Sequence, residues 1–177
     1  NNLFVGGRCM GATKLGMSSA RVMGTCAIGG QAVGAAAALC TKYGCTPREL
    51  TPHIGELQQI ILKNDGFLPG IVNTDPDDLA RCASFTASSH KPGCEPEKVI
   101  DGISRKIGDD MHGWVSDGIA EDGECLVMKW DGVQTLSELR FTFHSDFRYP
   151  IRVTMAPNRQ KQQRPGVPAE LVKEYEI

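Results

Sequence analysis

Hydrophobic positions follow two different patterns along this chain. Over residues 1–70 they run together or recur at helical spacing, and from Asn73 onward they come in short runs between polar turns. Asn2 to Val5 reads as a short buried strand, followed by the glycine-rich loop "GGRCMGATKLG". Between Val22 and Thr41 no residue is charged. That stretch predicts a long helix from Ser19 to Cys40, with Ser18 or Ser19 placed to cap it. Ile54, Leu57, Ile60 and Ile61 then recur at helical spacing. Thr51 is set to cap this second helix, Pro52 falls in its first turn, and Asp65 and Gly66 end it.

After Gly70 the pattern changes. "NTDPDD" is a cluster of turn formers, and residues 71–75 read as a linker between a 1–70 unit and a 76–177 unit. Beyond it, runs such as "ECLVMKWDG", "LSELRFTFHSDF" and "YPIRVTMA" are separated by polar turns. Leu139, Phe141 and Phe143 alternate with Arg140 and Thr142, the period of a half-buried strand. Several such strands in succession predict an antiparallel sandwich or barrel. Asn1 stands at the foot of one expected strand and Ile177 within another, so both ends read as cut from something longer.

The uncharged stretch admits three readings. As a membrane span it has a G-x-x-x-G pair at Gly30 and Gly34. It is built of Ala and Gly, though, with few large apolar residues and Gln31 at its centre, and no membrane span is expected. As a phosphate loop it fails, because Ala12 follows Gly11 where a lysine is required. As a ligand-facing helix it fits. The glycine loop lets backbone approach a ligand, and free N–H groups around Arg21, Val22 and Met23 suit an electron-rich carbonyl or a phosphate. Small residues at Gly24, Ala27, Gly30, Gly34 and Ala38 keep one flank thin. A tightly packed core helix with no ligand would show the same composition, so these residues alone leave both readings open.

Composition narrows the classes. A 41% hydrophobic and 23% charged chain is globular, and a net charge of -2 gives no field for nucleic acid. The seven cysteines form no C-x-x-C pair, so neither zinc ribbon nor iron–sulfur loop is expected and no metal site is assigned. Reduced thiols favour a cytoplasmic location. The four histidines are scattered, and no hydrolytic constellation emerges. Asp109, Asp110, Asp117, Glu121, Asp122 and Glu124 read as a solvated loop before they read as a calcium site. Arg148, Arg152, Arg159, Lys161 and Arg164 read as a polar loop before an anion patch. Trp114 and Trp130 are core residues of a sandwich more readily than sugar platforms.

"NNLFVGGRC", "SSARVMGTCAIGGQAVGAAAAL" and "TPREL" in this order closely resemble the C-terminal end of the FAD-dependent oxidoreductases with two dinucleotide-binding folds. The resemblance covers residues 1–66 and implies a strand–helix piece of a Rossmann-like α/β domain, with FAD bound in the full-length protein. It places Gly7 and Arg8 by the ribityl–pyrophosphate with Cys9 behind them, and Arg21, Val22 and Met23 facing flavin O2. Ser19 opens the flavin-facing helix, and Gln31, Gly34 and Ala36 pack it. The G-x-G-x-x-G that holds the ADP half in that family is absent from this sequence. The segment alone is therefore expected to be inactive, and no catalytic residue, substrate or electron acceptor is assigned.

Ala87-Ser88-Ser89, Ile100-Asp101-Gly102 and Trp114-Val115-Ser116-Asp117 resemble, in order, the opening of discoidin-like (F5/8 type C) β-sandwich modules. That resemblance implies an antiparallel jelly roll over 76–177, incomplete in length, with a glycan as a candidate partner. The expected fold class is α+β overall. Its rival in function is a non-catalytic carbohydrate- or surface-binding module carried on a helical scaffold.

Overall fold

The computed structural model of the chain describes residues 2–145, 154–163, 166–168 and 171–177. It has two compact units, Asn1–Gln134 and Thr135–Ile177. The first carries a short helix α1 (Met17–Ala20), the long helix α2 (Met23–Tyr43), helix α3 (Ile54–Lys63) and two strands, β1 (Ser84–Ala87) and β2 (Leu126–Lys129).

Helix α2 runs three residues past the expected end at Cys40, to Tyr43. Gly44 sits at φ 59°, and its N–H bonds to Thr41 O at 3.4 Å while the Cys45 N–H bonds to Cys40 O at 3.0 Å. This is the paired closure of a Schellman motif, which needs a left-handed residue at the position of Gly44. The start of α2 departs from expectation. Ser18 and Ser19 lie inside α1, and α2 begins only at Met23. Val22 breaks the register by taking an extended conformation, which its branched side chain favours, and it makes no side-chain cap.

The expected thin flank of α2 faces open space. A Cβ built at Gly24, Gly30 or Gly34 would meet nothing within 4 Å. Two glycine variants therefore change stability in opposite directions. Gly34→Ala should raise the unfolding free energy by up to about 1 kcal/mol, since only helix propensity changes. Gly44→Ala should lower it by roughly 1–2 kcal/mol through left-handed strain. Paired urea melts check the two signs.

The core of this unit lies between α2 and α3. Ala36 and Leu39 pack against Leu50, Leu57 and Ile61, with Phe4, Cys40, Cys45 and Ile60 around them. Ile54, though in the predicted apolar stripe, opens α3 and stays half exposed. Asn2 to Val5 forms no strand among the described residues. Phe4 reaches the core while Leu3 and Val5 face outward. A strand is defined by a neighbour's backbone, and no described strand pairs with this segment.

Thr51 donates its hydroxyl to Arg48 O and begins a 3-10 turn, Thr51–His53, so it does not cap α3. Pro52 likewise lies in this 3-10 turn and precedes the first residue of α3, Ile54. A turn earlier in the chain is bonded on both sides: Thr46 donates both its N–H and its hydroxyl to Glu49 Oε2 at 2.8 Å, and the Glu49 N–H returns to Thr46 O at 3.0 Å. Asp65 at φ 62° and the Gly66 N–H on Ile61 O at 2.9 Å close α3 as the sequence predicts.

Glu56 ties the two helices together, accepting from Lys42 Nζ at 2.7 Å and Tyr43 OH at 2.6 Å. The Lys42 hydrogen bond, then that of Tyr43, holds the Glu56 carboxyl below its ordinary value of 4.5. A depressed carboxyl stabilises the fold above its unfolded pKa, and that contribution disappears as pH falls through the lowered folded value. Glu56→Gln should lower the melting temperature at neutral pH and match wild type in acid. Thermal melts across that range measure the convergence.

The 71–75 segment lies within the first unit and is tied on both sides. Gln59 donates to Val72 O at 3.0 Å and accepts from the Thr74 N–H at 2.7 Å, and Lys63 pairs with Asp75. On the other side the Asn73 N–H bonds to Gly102 O at 2.9 Å. Strands β1 and β2 pair antiparallel from Ser84↔Lys129 to Ala87↔Leu126, with Phe85 buried. They are the two strands of the described residues, which supports α+β but not the expected succession of sandwich strands. Trp114 and Trp130 are half-buried, and each indole N–H donates to a backbone carbonyl, that of Ser89 or Leu79. Both serve the fold.

In the second unit, Leu139 to Phe143 is not assigned to a strand. Its residues are all exposed, without the alternation of a half-buried strand, although the Phe141 and Phe143 rings stack at 6.0 Å and both meet Tyr175. Helix α4 (Pro157–Gln160) occupies part of the expected polar loop. Arg148, Arg152 and Arg164 lie outside the described residues.

Candidate functional site

A cleft of about 230 Å³ opens between the glycine loop and the first half of α2. Val5, Gly6, Gly7 and Met10 form its loop side, and Thr25, Cys26, Gly29, Ala32 and Val33 its helix side, with Ala20 at the end. Gly6 sets the width, since a Cβ there would stand 3.2 Å from Val33 Cγ2. Gly7 then turns the chain at φ 63° into a 3-10 turn, Gly7–Cys9. Such a turn needs a residue without a Cβ penalty.

The N-terminus of α2 borders this cleft. The first helical bond inside it runs from the Cys26 N–H to Val22 O at 3.0 Å, so the N–H groups of Met23, Gly24 and Thr25 precede the ladder. No side chain caps them, and no acidic residue lies in the first turn. The charge pattern adds to the dipole. The first acidic residue of the chain is Glu49, whereas Arg8, Lys14 and Arg21 all precede it. Arg8 and Arg21 are exposed and form no ion pair among the described residues. Cys26 donates its thiol to Ala20 O at 3.6 Å, joining the end of α1 to α2. The result is an apolar, glycine-walled cleft with an electropositive edge, suited to a flat ring carrying an electron-rich rim.

The residues predicted for this site are only partly gathered by the structure. Gly7 lines the cleft, and Arg8 and Cys9 continue its 3-10 turn with exposed side chains. Arg21 and Val22 form the break before α2, and Met23 is its first residue, strongly exposed. Ser19 sits in α1 with its side chain outward. Gln31 is elsewhere: its amide donates to Asn64 O at 3.3 Å, at the end of α3. The sequence reading missed Gly6, Cys26, Gly29 and Val33. The last three share one helical face at spacings of three and four, and that spacing was the available signal.

Among the described residues no group of three or more His, Cys, Asp or Glu side chains is placed to hold a metal ion. All seven cysteines are free thiols. By length and composition α2 is the one described helix long and apolar enough to cross a membrane, with a mean hydropathy of 1.4.

Residues 1–61 match the family model described as FAD dependent oxidoreductase. No curated protein and no solved structure matches the chain. The matched stretch contains the whole cleft, α2 and nearly all of α3. The cofactor this family implies for the full-length protein is FAD.

Proposed function

We propose that residues 1–70 form the flavin-facing wall of an FAD-dependent oxidoreductase. The observation that carries this reading is the uncapped, acid-free N-terminus of α2 beside a cleft walled by Gly6, Gly7 and Gly29. The donor set fits part of the cofactor. Backbone N–H groups of Met23, Gly24 and Thr25 would hold an electron-rich ring edge, and Arg8 with the Gly7 turn would take the ribityl–phosphate side. Bound FAD supplies hydride or electron transfer at its ring system. The chain's own share is to orient the ring, exclude water with Met10 and Val33, and favour negative charge at the edge facing α2. Cys9, exposed in the Gly7–Cys9 turn, contributes to packing beside the ring.

The test is FAD retention by the full-length protein after purification and reconstitution. Flavin absorbance in stoichiometric amount is the expected result. A protein that stays colourless and leaves FAD fluorescence unquenched would sink the assignment.

For residues 76–177 the discoidin-like reading remains a proposal, with a glycan as candidate ligand. Its support is that two of the quoted motifs meet through hydrogen bonds. Trp114 donates to Ser89 O at 2.7 Å, and the Asp117 N–H donates to Ser89 Oγ at 3.2 Å. Ser88 and Ser89 both donate to Glu124, whose carboxyl they hold below the usual range. This occupies one acid of the expected solvated loop in a structural role.

A further inference from the structure

We propose that Cys40 and Cys45 form a reversible dithiol–disulfide couple built across the C-terminal cap of α2. The carrying observation is the cap geometry. In a Schellman motif the third residue from the helix end and the second residue beyond it are bonded backbone to backbone, and their side chains meet. Here those two positions are Cys40 and Cys45, joined by the 3.0 Å bond from the Cys45 N–H to Cys40 O around the left-handed Gly44. The Cys40 and Cys45 thiols also meet in a side-chain hydrogen bond, so the two sulfurs face each other across the cap. Both side chains pack on the rim of the core beside Leu39 and Leu50 and are half-buried. The other five cysteines, Cys9, Cys26, Cys82, Cys94 and Cys125, show no comparable pairing among the described residues.

The oxidant is a low-molecular-weight disulfide, and the exchange balances. Burial, then the Cys45 thiol, then the Glu49 carboxylate raise the Cys40 thiol above its ordinary value, so Cys45 makes the first attack. The Cys45 thiolate forms a mixed disulfide with one half of the reagent and expels the other half as a thiolate. The Cys40 sulfur, on losing its proton, then attacks Cys45 Sγ and expels the second half. Two protein thiols are oxidised, one reagent disulfide is reduced to two thiols, and the two protein protons leave with them. The product pins the end of α2 to the turn that leads into α3.

Full-length chain equilibrated in glutathione buffers of stepped ratio, acid-quenched and mapped by alkylation and peptide mass, tests this. Cys40 and Cys45 should disappear from alkylation together, yielding one cross-linked species lighter by two hydrogens. Its midpoint should favour the disulfide at least about tenfold more in the native chain than in urea, because the fold holds the two sulfurs together. Cys40→Ala or Cys45→Ala should leave a single thiol that stops at the mixed disulfide. Gly44→Val, which opposes the left-handed cap, should move the midpoint toward the unfolded value. If both thiols stay alkylatable at every ratio, or if native and unfolded midpoints coincide, the couple does not exist.

Discussion

Replacing Leu39 by alanine is expected to lower the unfolding free energy by about 2–5 kcal/mol. Leu39 is 3% exposed on the face of α2 that meets Leu50, Leu57 and Ile61. Truncation removes transfer free energy and also leaves a cavity. The small residues around it, Ala35 and Ala36, have no reach to fill that space. Ile54→Ala is the matched comparison, since Ile54 belongs to the apolar stripe of α3 yet is 51% exposed. That change should stay within about 0.5 kcal/mol. Urea denaturation with unchanged slopes measures both, and equal losses would mean that the contact between α2 and α3 is not the core of this unit.

Gly24→Glu should separate helix stability from cofactor binding. Gly24 is the second residue of α2, and a side chain there meets nothing within 4 Å. A carboxylate in a first turn stabilises a helix by about 0.3–1 kcal/mol through the dipole. The same charge would compete for the N–H groups proposed to hold the flavin edge and would repel negative charge there. Flavin retention by the full-length protein should fall at least about tenfold while the melting temperature holds or rises. Gly24→Gln has nearly the same size without the charge and should keep the flavin. Equal retention in the two variants would show that the α2 terminus does not face the cofactor. A loss of stability in both would point to a packing partner at Gly24.

The sequence by itself determined the features settled within four or five residues. Gly44 had to close α2, because no other residue of the "TKYGC" segment takes a left-handed conformation as cheaply. Asp65 and Gly66 ended α3 by the same local logic, and the lack of acids before Glu49 left the loop and helix start with only cations among their charged neighbours in sequence. The tertiary structure decided what depends on distant partners. Whether Asn2 to Val5 is a strand rests on a neighbouring backbone, which its own pattern does not specify. Gly34 and Gly6 read alike in sequence, yet Gly34 looks into open space while Gly6 stands one methyl away from Val33. Gln31 likewise carried no mark that its amide would reach Asn64 O, thirty-three residues on, and not the cleft. Local propensity and capping act through bonds between near neighbours, whereas close approach and strand pairing depend on which surfaces meet once the chain has collapsed.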